Sequence, residues 1–365
     1  MKCNKIICID KKPKDKKLFF GDFGNYMRID QISYPIFKKL YEHSEANTWF
    51  TNEIDYSADG TGFKELPEYV QRMFKFNISY QTLMDSGVTN IFDDIAKVVS
   101  ITELQYLYKR ISIEESIHAT SYSNGLDAVF GNKASETLDL VYTDDFIKRR
   151  LENEVNGATD FINKCIIENK TDDEAKKSLL TLLAAAYLLE GVKFPFSFFV
   201  TWTINKTYNN AIQGFSRALK LIAHDEMTFH TVTGKTVLNM LRKDKYQGFK
   251  HLFDDGWFSE MFQNLLKITV EQECEWNEYL LKDGDISGYN KAIGEHFIKY
   301  WAMYRAKDIY EKSPYNEKKS EIIEWYNNYR SLNGTTTALQ EAEATNYQKG
   351  KLMNDLDRID NLISV

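Results

Sequence analysis

The stretch Glu115-Ser116-Ile117-His118-Ala119-Thr120-Ser121-Tyr122 constrains the fold more than any other part of the chain. Its carboxylate, imidazole and phenol stand at i, i+3 and i+7, close to one stripe of a helix. Glu and neutral His are good ligands for a transition metal. A phenol one turn beyond the His would sit beside that metal. Taken alone, E-x-x-H is common on solvated helix faces. A second acid/His set, Glu226 and His230, changes the weight, as do two isolated acids inside apolar segments, Asp85 and Glu190.

Those residues need helices to carry them, and the composition supplies them. Only 18 Gly and 5 Pro occur in 365 residues, which argues against a turn-rich all-β architecture and for an all-α one. No internal repeat is apparent. A net charge of −7 gives no overall pull toward nucleic acid. Cys3, Cys8, Cys165 and Cys274 are scattered and read as free thiols in a reducing compartment. The apolar core of the N-terminus is too short for a signal peptide, and the most apolar run, 179–189, is too short to span a bilayer. A cytoplasmic protein with no membrane partner is expected.

Along the chain, residues 1–17 read as a mobile arm or short edge strand, and 31–45 as a first helix. Pro67 suits the first turn of a long helix with apolar residues at Val70, Phe74, Ile78, Leu83 and Met84, and Asp85 near its end. Ser100-Ile101-Thr102-Glu103 has the pattern of a capping box and should open the helix of Glu115, His118 and Tyr122. Residues 126–142 look irregular. Helical spacing resumes at 144–168, and Thr171-Asp172-Asp173-Glu174 resembles another capping box. It precedes a long apolar helix that runs through Glu190. Gly191 and Pro195 predict a kink or bulge there. Further helices are predicted at 208–243, 257–282, 287–311 and 317–330. The division is an arm at 1–25, one helical domain at 26–332 and a polar, acidic tail at 333–365.

Asp85, Glu115, His118, Glu190, Glu226 and His230 form the ligand set of a carboxylate-bridged dinuclear site, pointed inward by four helices of a bundle. Two divalent ions balance four carboxylates, so the set can be buried where an unpaired carboxylate could not. Each residue also has an ordinary reading. Glu190 could snorkel or pair with Lys193, Asp85 could cap a turn, and Glu226 with His230 could be an exposed i, i+4 pair. Tyr122 alone is one tyrosine among 22. Beside a metal pair it becomes a candidate for one-electron oxidation, and Phe194, Phe198 and Ile222 could form the apolar pocket that protects it.

At these residues the chain resembles the small, radical-generating subunit of class I ribonucleotide reductase. The resemblance rests on YQTLMDS at 80–86, EESIHATSYS at 114–123, LLEGVKFPFSFF at 188–199, LIAHDEMTFH at 221–230 and QEAEATNY at 340–347, in order and with comparable spacing. It implies a ferritin-like helical bundle with a dinuclear metal site in its core. Asp85, Glu115 and His118 would hold one metal, and Glu190, Glu226 and His230 the other. Tyr122 matches the stable tyrosyl radical, and Phe194, Phe198 and Ile222 its apolar shell. Trp49 matches the tryptophan of the radical path, and Asp225 the acid linking it to the site through His118. Tyr347 matches the tail tyrosine that relays the radical between subunits, and Glu341 a tail glutamate of that relay.

The resemblance further implies a homodimer that docks its tail on a large catalytic subunit. It implies two iron ions per subunit, oxygen-bridged when oxidised, with manganese or a mixed pair equally compatible with the ligands. O2 would be activated at the metals, and the radical would serve reduction of ribonucleotides to deoxyribonucleotides. The family spaces its second Glu and His three residues apart, whereas Glu226 and His230 are four apart. Either an α-helical i, i+4 pair or a π-bulge would accommodate this, and Asp225 and Glu226 could exchange roles. Three rivals stand beside the main reading. They are a ferritin-like di-iron oxidase or hydroxylase acting on its own substrate, an iron store, and a non-catalytic helical interaction protein.

Overall fold

Helix boundaries follow the local chemistry more closely than the motif patterns do. A computed structural model describes residues 16–22, 27, 30 and 32–332. Among these there is no β-strand beyond the isolated bridges Phe19 to Val99 and Ile286 to Tyr289. Glu68–Ala96 follows Pro67 directly, and the predicted stripe of Val70, Phe74, Ile78 and Met84 is buried, with Leu83 partly so. The helix does not stop near Asp85. It runs on for three more turns through Val88, Ile91, Phe92 and Ile95, all buried. Asp85 is therefore a mid-helix residue facing the interior, not a cap.

The next helix, Thr102–Phe130, is not opened by a capping box. Ser100 Oγ accepts from the Gly21 amide at 2.6 Å, and Glu103 Oε1 accepts from the Ser33 and Tyr34 amides at 2.7 and 2.9 Å. Both side chains thus tie down the incoming N-terminal chain. Leu18 and Phe19, within the stretch read as an arm, are buried in the core. The helix also continues past 126, where irregular structure was expected. Gly125 is no breaker there: a Cβ on it would lie 2.5 Å from Phe215 Cζ and 2.8 Å from Tyr56 Cε1, so the absent side chain admits two aromatic rings. Gly131, with φ of +53°, ends the helix, and two short helices, Ala134–Leu138 and Leu140–Thr143, follow.

Asp172, not Thr171, caps the long apolar helix, accepting from the Ala175 amide at 3.1 Å. That helix runs Asp173–Leu188, passes through a π turn at Leu189–Lys193, and continues as Phe194–Thr207. The bulge expected at Gly191 and Pro195 is this turn. Proline offers no N–H to the carbonyl four residues back, and Arg305 Nε donates to that Gly191 carbonyl at 3.4 Å. By length and composition Asp173–Thr207 could cross a membrane, but 94% of its most apolar window is buried inside the protein. Phe194, Phe196, Phe198 and Phe199 are fully buried, each worth roughly 1.5–3 kcal/mol.

The predicted 208–243 helix starts only at Gln213, because Asn209 and Asn210 turn the chain with φ of +53° and +63°. It too contains a π turn, Glu226–His230, between Gln213–Asp225 and Thr231–Lys243. Glu68–Ala96 and Thr102–Phe130 pack along each other and against these two interrupted helices. Trp257–Leu280, Lys291–Asp308 and Asp145–Phe161 cover one flank, and Glu321–Arg330 closes the order. The all-α, ferritin-like bundle expected from the sequence is what the chain forms.

Candidate metal centre

Each ligand-bearing helix brings its acid or imidazole to the middle of the bundle. Asp85, Glu115, His118, Glu190, Glu226 and His230 are all buried. Two triads offer ligand atoms mutually within 4.8 Å: Asp85, Glu115 and His118, and Glu115, Glu190 and His230. Glu115 belongs to both, the place of a bridging carboxylate. The first triad is the one expected. In the second, Glu115 stands where Glu226 was expected. Glu226 lies outside both triads, although the charges of Glu190 and Asp85 act on it.

The imidazoles are arranged alike. His118 turns Nδ1 toward Glu115 Oε2 at 3.5 Å and Asp85 Oδ2 at 4.0 Å, and Nε2 toward Asp225 Oδ2 at 3.0 Å. His230 turns Nδ1 toward Glu115 Oε1 at 3.0 Å and Glu190 Oε2 at 3.4 Å, and Nε2 toward Glu114 Oε2 at 3.1 Å. Each ring thus presents one nitrogen to the cluster and the other to an outer carboxylate, the pattern of a ligating histidine. The His118 and His230 rings lie 5.9 Å apart.

Electrostatics test whether these residues suit cations. Both oxygens of Asp85, Glu115 and Glu226, one of Glu190, and His118 Nδ1 are buried without a hydrogen-bond partner. Uncompensated buried charges cost several kcal/mol each, so four carboxylates facing only two imidazoles would draw heavily on the net stability of a folded protein, about 5–15 kcal/mol. Without a cation, burial pushes the Asp85 and Glu226 carboxyls well up and Glu190 to about 7, with neighbouring carboxylates adding to the rise. Burial also opposes charge on Glu115, but His118 and His230 hold it down at about 2. Burial opposes charge on His118, yet Asp225 and Glu115 hold it up at about 10. Without cations, protons thus gather on carboxyls and imidazoles alike, and cations would replace them. The donor set fits two divalent cations.

Around the cluster, the Trp49 indole donates to Asp225 Oδ2 at 2.8 Å, the same oxygen that faces His118. The Trp49 and His118 rings stack at 5.9 Å with 13° between planes. Asp225 therefore lies between Trp49 and His118, and the buried Glu226 feels the charges of Glu190, Asp85 and Glu115. Tyr122 is buried, and burial together with the charges of Asp85, Glu226 and Glu115 pushes its phenol far up, favouring the neutral form. Phe194, Phe198 and Ile222 are fully buried, with the two phenyl rings stacked at 6.2 Å. Glu341 and Tyr347 lie outside the described residues.

Sequence reasoning missed Glu114 and misplaced Lys193. Glu114, beside Glu115 in the chain, is buried against His230. The signal was the acid doublet, read as one ligand. Lys193 does not pair with Glu190. Its ammonium meets Glu154 Oε1 at 2.9 Å, the Arg150 carbonyl at 2.6 Å and Gln272 Oε1 at 3.1 Å, all buried. Beside it, Arg150 pairs with Glu273 at 2.6 Å.

The ribonucleotide reductase, small chain, family model matches residues 27–331. Subunit beta of ribonucleoside-diphosphate reductase 1 from Salmonella typhimurium is 27% identical, over 94% of each chain. The ribonucleotide reductase R2 subunit of Clostridium botulinum superposes with a TM-score of 0.81 at 24% identity, covering 91% of this chain and 99% of that one. A dimanganese(II) protein of Streptococcus sanguinis shares the fold, with a TM-score of 0.64 at 18% identity over 82% of this chain and 98% of its own. With the family model covering nearly the whole described body, the chain belongs to the ribonucleotide reductase small chain family.

Proposed function

We propose that this chain is the radical-generating small subunit of a class I ribonucleoside-diphosphate reductase. It would use O2 to oxidise Tyr122, store the radical, and deliver it to a large subunit that reduces ribonucleotides to deoxyribonucleotides. The reading is carried by two buried ligand triads that share Glu115, two helical turns before Tyr122. The relatives named above are reductase subunits. No observation favours an oxidase with its own substrate.

Asp85, Glu115 and His118 would hold one metal ion, and Glu190, Glu226 and His230 the second, with Glu115 shared. Iron is our assignment, with manganese the alternative. The bound pair would supply the one-electron oxidising power needed at the phenol. The protein's own part is to hold distances and exclude water. Phe194, Phe198 and Ile222 shield the Tyr122 oxygen from reductants. Asp225 Oδ2 accepts from the Trp49 indole and faces His118 Nε2, so a proton can shift along this line as Trp49 loses an electron. From Trp49 the equivalent would pass to Tyr347, aided by Glu341, in a tail at 333–365 that docks on the large subunit. A homodimeric, cytoplasmic protein completes the proposal.

Low-temperature EPR of iron-loaded, oxygenated protein tests the assignment. A tyrosyl signal is expected, and Tyr122→Phe should abolish it while metal content stays at the wild-type level. A signal that survives this substitution moves the radical to another residue.

A further inference from the structure

Glu114 has no part in either ligand triad, yet it is buried in a network of its own. Its Oε2 faces His230 Nε2 at 3.1 Å. Its Oε1 accepts from Ser44 Oγ and lies 3.2 Å from Arg110 Nη2. Arg110 in turn donates through Nε to Ser44 Oγ at 2.7 Å and through Nη2 to Thr48 Oγ1 at 2.6 Å. We infer that Glu114 is a positioning residue for the second metal subsite, holding His230 with Nδ1 turned to the metals and linking that ring through Arg110 to the segment before Trp49. The inference rests on the dinuclear reading above.

Three observations carry it. First, His230 lies between neighbouring residues of one helix, with Glu115 Oε1 at 3.0 Å from Nδ1 on the cluster side and Glu114 Oε2 at 3.1 Å from Nε2 on the other. Consecutive helix residues point about 100° apart, which lets one backbone reach two sides of the ring. Second, Ser44 donates to Glu114 Oε1 and Arg110 pairs with that same oxygen, which leaves Oε2 to accept from His230. Acceptance there requires the hydrogen on Nε2 and leaves the Nδ1 lone pair for a cation. Third, His230 leaves a π turn, where the four-residue spacing from Glu226 departs from α-helical register. A fixed external carboxylate sets the ring where the local backbone alone does not.

The two sides of the centre then match. Asp225 ties His118 to Trp49 directly. Glu114 ties His230 to Thr48, the residue before Trp49, through one guanidinium. Loading of either subsite is therefore mechanically connected to the same stretch of chain.

Manganese(II) titration of the metal-free full-length protein tests this, with the EPR signal of the free aqueous ion as readout. Wild type should bind two ions per chain. Glu114→Ala should weaken the second subsite about 10-fold or more and leave the first unchanged, with Glu114→Gln between. The substitution is repeated in an Asp85→Ala background, where the second subsite alone is complete, and the loss should persist. Circular dichroism of the metal-free variants checks that the bundle has formed. Unchanged affinity at both subsites, or equal weakening of both, overturns the inference while leaving the dinuclear reading intact. Fewer than two ions bound by wild type overturns both.

Discussion

Replacing Lys193 by methionine isolates the energetics of the buried charges behind the metal centre. The ammonium is fully buried, and its partners are Glu154 at 2.9 Å, the Arg150 carbonyl at 2.6 Å and Gln272 at 3.1 Å. Methionine fills nearly the same volume, so the cavity term is small. What remains is Glu154, buried without its cation, together with a carbonyl and an amide oxygen that lose a donor. Breaking a buried pair from one side costs about 3–5 kcal/mol. Glu154→Gln alone should cost a similar amount, whereas the double variant should recover most of the loss, since no charge is then stranded. Burial already pushes the Glu154 carboxyl up, and Lys193 works against that rise. Without Lys193 the folded state favours a protonated Glu154 further above its unfolded value. The variant therefore gains stability relative to wild type as pH falls from 8 toward 5, because its folded state then binds the extra proton. Denaturant unfolding of the metal-free protein at several pH values measures all three variants. A loss under 1 kcal/mol for Lys193→Met, or a double variant no better than the worse single, refutes the pairing; so does a pH-independent difference.

Three further outcomes are expected. Glu115→Ala should lower bound metal at both subsites by at least about 10-fold, since Glu115 belongs to both triads, whereas Asp85→Ala should empty only the first; metal analysis after dialysis separates the two patterns. Asp59 accepts from the Gly214 and Phe215 amides at 2.8 and 2.9 Å, and burial pushes its carboxyl up to about 6. A raised folded pKa contributes stability at low pH that is lost as pH rises through 6, so Asp59→Asn should remove a slope worth about 2–3 kcal/mol between pH 4 and 7, read by thermal unfolding across that range. Tyr347→Phe should keep the Tyr122 EPR signal yet abolish turnover with the large subunit, and retained turnover removes the tail tyrosine from the path.

What could be read from the sequence was whatever repeats at short range. The stripe of Val70, Phe74 and Ile78 shows its helix because each residue lies about one turn from the next. The E-x-x-H set shows its half-site for the same reason. Pro195 announces a break in a helix because the lost donor is local. The capping boxes failed because a side chain that can cap can also bind elsewhere. Glu103 was taken by the Ser33 and Tyr34 amides, and Ser100 by that of Gly21, and nothing within four residues signals it. Lys193 with Glu154 and Glu114 with His230 were invisible for a like reason. Their partners are 39 and 116 residues away in the chain.

The two π turns show why the centre needs both kinds of information. Glu190 and Glu226–His230 enter the core from two π turns, each of which interrupts a long core helix, and the two turns touch one another. A π turn inserts one residue and frees a carbonyl from the α-helical ladder, a local cost that a helix interior does not repay by itself. Arg305 supplies part of the repayment at the first turn and touches a side chain of the second. Its Nε donates to the Gly191 carbonyl at 3.4 Å, and its Nη2 reaches Met227 Sδ at 3.3 Å. Gly191 has no room for more, since a Cβ would lie 2.5 Å from Arg305 Nε. One arginine from the Lys291–Asp308 helix thus bridges the turns that carry Glu190, Glu226 and His230. The four-residue spacing of Glu226 and His230 is then no defect of the ligand set. The inserted residue is taken up by a backbone form that the first π turn already uses, held from outside by a shared cation.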